Sequence, residues 1–395
     1  MCLQKSILQS TNYDSYMQIT YEEQISQDRC HFCAHKRLTQ IASVKNAPAF
    51  LGCTTQKPAE DLFLSFHLLL CNHCSLIQTD AQPLERTYSE LHSEALGPIW
   101  RAHHLSFASF IQKQLHLSTD MRVLEIGASS QPIARHLPFE KNSIWYIDPI
   151  KTPPFSLNKN EQYLSGFFPE KKPDAKLDLI IASHVLEHIP HTHSFFKAIA
   201  SQLTENGKLF ISIPHFQSWF RHSYFNAISA EHITYPFLNQ LLFIARSEGF
   251  DMETEYYGDH SLFAVFKRQA SHAPPSFPQE DSKKWLVAWI HAFNKMVKTD
   301  KITADLSEVF ITGASHLSQY FLLCNQGLEE RITAVLDNSS KKWGQRLYGT
   351  STVARPFHHL TKYERPTVIL TPSPYAEEMR QQIIALNAQA TIVDL

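Results

Sequence analysis

Short apolar runs separated by polar turns recur along the chain, and the densest group lies between Arg122 and His188. Arg122-Val-Leu-Glu-Ile-Gly-Ala-Ser-Ser-Gln-Pro132 reads as a buried strand (Val123, Leu124, Ile126), a tight turn at Gly127 and the start of a helix at Pro132. Ser143-Ile-Trp-Tyr-Ile-Asp148 is a strand ending in a carboxylate. Leu177-Asp-Leu-Ile-Ile-Ala-Ser183 is another, and it runs through the polar edge His184-Val-Leu-Glu-His188 into a helix. Gln162-Tyr-Leu-Ser-Gly-Phe-Phe168 and Gly207-Lys-Leu-Phe-Ile-Ser-Ile-Pro214 add two more strands. Such runs, alternating with helices, predict an α/β domain built on a doubly wound parallel sheet.

The flanks read differently. Residues 1–27 are polar and irregular, as in a flexible tail. Gln82–Leu117 predicts a helical lead-in whose packed face carries Trp100, Leu105, Phe107, Phe110 and Ile111. Proline density over Ser271–Pro278 predicts a linker. Trp285, Leu286, Trp289, Ile290 and Phe293 give the stretch Glu280–Lys298 an amphipathic helical spacing. Strand–glycine–helix then returns at Val309-Phe-Ile-Thr-Gly-Ala-Ser315, followed by Ile332-Thr-Ala-Val-Leu-Asp337. The expected division is a tail (1–27), a cysteine-bearing module (28–85), a central α/β domain (86–270), a linker and helix (271–300) and a C-terminal α/β domain (301–395).

Composition narrows the function classes. A length of 395 residues implies two to three domains. A formal net charge of −2 gives no basic surface for tracking phosphates, so nucleic acid is not an expected partner. The longest apolar run, Leu62–Leu70, is broken by Ser65 and His67, so no membrane span is expected. The first residues, Met1-Cys-Leu-Gln-Lys-Ser-Ile-Leu, have no basic start or apolar core of an export signal. With seven cysteines, an odd number, disulfides are not their natural use, and a cytoplasmic protein is expected.

Four cysteines stand in two Cys-x-x-Cys pairs, Cys30/Cys33 and Cys71/Cys74, with 37 residues between the pairs. Two such knuckles can bring four thiolates onto one tetrahedral Zn²⁺. A redox dithiol needs only one pair beside a βαβ unit, and unrelated buried cysteines need neither. His31, His35 and His73 read as surface histidines, and Asp337 and Lys342 either touch a nucleotide or cap strands and loops.

The central strands carry a resemblance. Glu125-Ile-Gly127 at a strand end, Asp148 21 residues after Gly127, and Ser183-His-Val-Leu-Glu-His188 at the fourth strand together resemble a class I S-adenosylmethionine-dependent methyltransferase. The glycines usual after Glu-x-Gly are replaced by Ala128, Ser129 and Ser130; the cofactor has no pyrophosphate, so hydroxyls and backbone N–H groups can face its carboxylate. The resemblance implies that Glu125, Gly127, Ala128, Ser129, Asp148, Pro149, Phe167, Ser183, His184 and Val185 line the cofactor site, with Asp148 on the ribose hydroxyls.

Cys30-x-x-Cys33, Ala47-Pro-Ala-Phe-Leu-Gly52 and Leu68-Leu-Leu-Cys71-Asn-His-Cys74-Ser-Leu-Ile-Gln78 are similar to the N-terminal zinc module of bacterial sugar C-methyltransferases. The similarity continues at Tyr88, Ser93 and His104, at Glu231, His232 and Tyr235, and at Lys341-Lys-Trp-Gly344. It implies a structural zinc remote from the chemistry, a methyltransferase core, and a Rossmann-like C-terminal domain without a redox cofactor of its own. The implied substrate is a nucleotide-linked keto-deoxysugar or related glycan precursor. Two positions depart from the family: Ser229 replaces a tyrosine, and Gly258-Asp-His-Ser-Leu-Phe263 replaces a Gly-Gly-Ser-x-Arg pattern. Carbon methylation beside a ketone needs a base and a hold on the enolate. His232 is the candidate base, Glu231 its orienter or a sugar ligand, His188 and Tyr235 candidates for the enolate oxygen, and Tyr88 a candidate for the substrate. O- or N-methylation of a similar acceptor, or an inactive binding scaffold, are the alternatives. Oligomeric state is not legible.

Overall fold

The computed structural model describes residues 17–26, 28–81, 98–115, 120–139, 142–258, 260–269, 281–297, 308–325, 327–373 and 375–395. The predicted linker Ser271–Pro278 and the first part of the predicted tail lie outside these residues. The N-terminal part contains β1 (Gln18–Ser26), β2 (Leu38–Pro48), β3 (Cys53–Thr54), β4 (Phe63–Cys71) and β5 (Ile77–Thr79). β1, β2, β4 and β5 form an antiparallel meander. The tail expected over 1–27 is corrected here, because Gln18–Ser26 pairs with β2 along its length. Met17 and Ile19 are buried with Ile41 and Val44, which anchors the strand. As an edge strand it leaves most side chains exposed, so its sequence is too polar to announce itself.

Next come α1 (Pro98–Gln114), β6 (Arg122–Ile126), β7 (Ser143–Asp148), β8 (Glu161–Ser165), β9 (Leu177–Ser183), α2 (Thr192–Gln202), β10 (Leu203–Pro214) and α3 (Phe216–Arg221). They are followed by β11 (Thr234–Tyr235), α4 (Leu238–Ser247), β12 (Phe250–Tyr257) and β13 (Ser261–Arg268). The seven-stranded central sheet has the order β12-β13-β10-β9-β6-β7-β8. β8, β7, β6, β9 and β10 run parallel, while β13 lies antiparallel to both β10 and β12. Val123, Leu124, Leu179, Ile180, Ile181, Phe210 and Ile211 are almost wholly buried, as strands covered on both faces require. Strand order reverses between β6 and β9, and the crevice for a ligand opens at the carboxyl ends there. The helix expected at Pro132 is only one 3₁₀ turn, Ile133–His136. Its first N–H groups are captured by the Glu125 carboxylate, and the chain turns away at Leu137.

β11 leaves the central domain and pairs with β5, completing the N-terminal sheet in the order β1-β2-β4-β5-β11. α5 (Ser282–Val297) buries Leu286, Trp289, Ile290 and Phe293 against that sheet and α3. The C-terminal part holds β14 (Val309–Thr312), α6 (His316–Cys324), β15 (Ile332–Leu336), β16 (Arg346–Leu347), β17 (Ala354–Arg355), β18 (Thr367–Leu370), α7 (Ala376–Leu386) and β19 (Thr391–Asp394). Its sheet, β17-β15-β14-β18-β19, is parallel throughout. β16 pairs with β3, tying the two ends of the chain together. Among the described residues no helix is long and apolar enough to cross a membrane.

Candidate active site

The rim of the crevice is made by strand ends. Gly127 follows β6 with φ +73°, and its N–H donates to the Ile147 carbonyl at 2.8 Å. A Cβ there would come within 2.5 Å of Val185 Cγ2, so only glycine lets the two loops approach. Ala128 is buried, and Ser129, at φ +50°, donates its N–H to Asp148 Oδ2 at 3.0 Å. The other oxygen of Asp148 accepts the Ile150 N–H at 3.0 Å. Burial raises the Asp148 carboxyl above its ordinary value, opposed by those two N–H groups. Glu125 is buried beneath the turn, taking the N–H groups of Ile133 and Ala134 at 2.7 and 2.9 Å, and desolvation pushes it up to about 8. His184 has φ +53°, takes the Ser212 carbonyl with its N–H at 2.8 Å and has Nε2 3.0 Å from Ser261 Oγ.

Glu125, Gly127, Ala128, Ser129, Asp148, Pro149, Phe167, Ser183, His184 and Val185 all line one cavity of about 1080 Å³. The structure therefore gathers every rim residue expected from the sequence.

The facing wall contains His188, Glu231 and His232. The ring nitrogen Nδ1 of His188 bonds the Glu231 carbonyl at 2.9 Å, and its ring centroid lies 5.0 Å from that of His232. Burial, aided by the neighbouring His188, holds His232 well below the usual histidine value, so its imidazole is neutral. Burial alone pushes Glu231 up to about 7. The wall strip is held from below: Ile233 N–H donates to the Glu187 carbonyl at 2.8 Å and Thr79 N–H to the Ile233 carbonyl at 2.9 Å.

Tyr235 is corrected. It does not line the cavity; it is buried behind the wall, its hydroxyl donating at 3.3 and 3.4 Å to the carbonyls of Ser229 and His232. It props the loop that carries the acidic and imidazole groups. Tyr88 lies outside the described residues.

Several lining residues were not singled out for this site from the sequence: Trp100 and His104 of α1, Glu187, Trp219, His260, Leu51 from the N-terminal part and His316 from the C-terminal part. Trp100 packs edge-on to both His184 and His260, at centroid distances of 4.8 and 4.9 Å. Only His104 carried a signal, through the family resemblance.

The four paired cysteines converge as free thiols, with Cys30 Sγ 3.4 Å from Cys74 Sγ and Cys33 Sγ 3.5 Å from Cys71 Sγ. All four sulfurs lie within 4.8 Å of one another. Zn–S bonds of about 2.3 Å in a tetrahedron set neighbouring sulfurs roughly 3.8 Å apart, so this donor set fits zinc. The expectation that this cluster stands far from the chemistry is corrected. His31 Nδ1 lies 2.9 Å from the Pro190 carbonyl, and His193 Nε2 lies 2.6 Å from the Phe32 carbonyl, so the first knuckle rests on the loop after His188 and on the start of α2. Asp337 and Lys342 satisfy each other at 3.0 Å and cap the Ala314 backbone, forming a strand-end clasp.

Residues 99–255 match the protein family described as methyltransferase domain. The chain is similar to the solved 1,6-didemethyltoxoflavin-N1-methyltransferase of Burkholderia thailandensis with bound 1,6-didemethyltoxoflavin and S-adenosylhomocysteine. Identity is 15%, covering 44% of this chain and 82% of that one, at a TM-score of 0.36. It is also similar to the N-methyltransferase NodS of Bradyrhizobium japonicum in complex with S-adenosylhomocysteine, at 14% identity over 44% of this chain and 89% of that one, with a TM-score of 0.34. No curated protein matches the chain.

Proposed function

We propose that this chain transfers a methyl group from S-adenosylmethionine to a small acceptor held between the Gly127–Asp148 rim and the His188–Glu231–His232 wall. The observation that carries this reading is the single cavity into which the strand-end turn, the Asp148 carboxylate and the wall all open. The residues fit the cofactor: a turn that a Cβ would fill, and a buried carboxylate whose two oxygens each accept one backbone N–H and keep lone pairs for a ribose diol. When bound, the cofactor supplies an electrophilic methyl group on a sulfonium. Ser129 and Asp148 position its sugar, Phe167 offers a face to the adenine, and His184 and Val185 border the methyl end.

The acceptor we favour is a nucleotide-linked keto-deoxysugar methylated at the carbon beside the ketone. Two groups of the wall, the Glu231 carboxylate and the His232 imidazole, can accept its C–H proton, and the His188 side can hold the enolate oxygen. His316 brings the C-terminal part to the same cavity, where it would meet the nucleotide end of such an acceptor. The Cys30/Cys33/Cys71/Cys74 cluster would hold a structural zinc beneath the wall.

The experiment is incubation of the full chain with S-adenosylmethionine and a panel of nucleotide-linked sugars, followed by mass spectrometry and NMR. We expect one added methyl group on a keto-sugar, and solvent exchange of the adjacent C–H proton even without cofactor. Methylation of a hydroxyl or amine acceptor with no exchange on any keto-sugar would contradict carbon methylation while leaving methyl transfer standing.

A further inference from the structure

Three donor groups line the same cavity, and two of them carry buried polar atoms with no hydrogen-bond partner. Glu187 sits in the 3₁₀ turn Leu186–His188, fully buried, and lines the cavity. Neither of its carboxylate oxygens has a hydrogen-bond partner; His184 Nδ1 stands 3.3 Å from Oε1 but makes no hydrogen bond. A buried carboxylate in a native fold is paired, hydrogen-bonded or bound to a metal. The second group is His232, whose Nδ1 is buried without a partner while the ring bonds the backbone of Ala227. The third is His188. Its Nδ1 bonds the Glu231 carbonyl at 2.9 Å, the kind of outer contact that orients a metal-binding imidazole. One donor atom from each residue lies within 4.8 Å of the other two.

We propose that Glu187, His188 and His232 form a cation site for a divalent transition metal, separate from the four-cysteine cluster. Metal bonds of about 2.0–2.2 Å bring such donors to within about 4 Å of one another, a distance reached here by small side-chain rotations. Two imidazoles and one carboxylate suit Zn²⁺, Mn²⁺, Fe²⁺ or Co²⁺ rather than the all-oxygen shells of Mg²⁺ and Ca²⁺. Three protein ligands leave coordination positions directed at the cavity, where an acceptor's oxygen could bind and be polarised. That last role rests on the methyl-transfer reading; the cation site itself does not. With a cation on His232, the acceptor's proton would go to Glu231.

The test uses the full chain as purified, with its zinc in place, dialysed against Co²⁺ and assayed for both metals. Wild type is expected to keep about one zinc and to take up about one cobalt per chain. Glu187→Gln and His232→Asn should each weaken cobalt uptake by at least about ten-fold, with zinc content and binding of S-adenosylhomocysteine unchanged. Spectroscopy of wild type needs no variant: the bound cobalt should give weak visible bands and paramagnetically shifted imidazole protons. Absence of cobalt uptake, uptake retained in Glu187→Gln, or a spectrum dominated by thiolate charge transfer would each overturn the site. None of these readings depends on methyl transfer, so a failed activity screen and a failed cation site are told apart.

Discussion

Asp148 was legible because its position is a local fact: an acid at the end of the strand beside the one ending in Glu-x-Gly. Gly127, Ser183, His184 and Val185 were legible for the same reason, since strand ends in a doubly wound sheet share one edge. Removing the carboxylate should weaken S-adenosylmethionine binding by about 1.5–3 kcal/mol, the range for bonds to a charged group. Unchanged affinity in Asp148→Ala would place the ribose elsewhere. Glu125 carries a pH prediction. Its folded value is raised to about 8 from an ordinary 4.5, so the folded chain holds a proton that the unfolded chain has lost between those values. The stability linked to that proton is full below about pH 4.5 and fades as pH rises through about 8. Thermal melting of wild type should therefore decline across this window, and Glu125→Gln, which mimics the protonated group, should lose part of the slope. An identical slope in both proteins would show that Glu125 is ionised throughout. Glu187, Trp100 and His260 were not legible as site residues. Their place in the cavity depends on how α1, β13 and the turn after β9 pack, which no spacing in the sequence states.

Elements were predicted well where burial is two-sided and poorly where it is not. β6, β7, β9 and β10 are apolar on both faces and announced themselves, whereas the edge strand β1 did not. The turn at Pro132 was overread as a helix, because a proline suits the first turn of either an α-helix or a 3₁₀ turn. The pairing of β5 with β11 was invisible in the sequence, with over 150 residues between them, yet it brings the cysteine module against the wall. Thr79 Oγ1 donates to the His232 carbonyl at 3.2 Å, and Gln240 Nε2 to the Cys74 carbonyl at 2.8 Å. If the four thiols hold zinc as proposed, stripping it should therefore loosen the wall before the rim. In hydrogen exchange, amides of 187–189 and 231–235 should lose protection on treatment with a chelator, while those of β6 and β7 keep theirs. Uniform loss, or none at the wall, would contradict the coupling. Cys71→Ser is expected to lower zinc from about one per chain and to behave like the stripped protein.

At the scale of the molecule, residues far apart in sequence close one cavity: Leu51 from the N-terminal part, the central rim and wall, and His316 from the C-terminal part. The ends are locked by a buried bidentate pair, Arg346 Nη1 and Nη2 to Asp61 at 2.6 and 2.7 Å, with the Gly349 N–H donating to the same carboxylate at 2.8 Å. Replacing Asp61 by Ala strands a buried guanidinium and should cost about 3–5 kcal/mol in denaturant unfolding. A loss well below that would mean water reaches Arg346 and the two ends part readily. The parallel sheet of the C-terminal part repeats the strand–glycine–acid pattern of the central domain, but Lys342 and Ala314 already occupy Asp337. Of the two strand-end acids, Asp148 is the one that opens into the cavity and the one proposed to hold the cofactor ribose. The direct measurement is calorimetric titration of the full chain with S-adenosylhomocysteine and, separately, with NADH. The account predicts one S-adenosylhomocysteine per chain and no heat with NADH; saturable NADH binding with none for S-adenosylhomocysteine would contradict it.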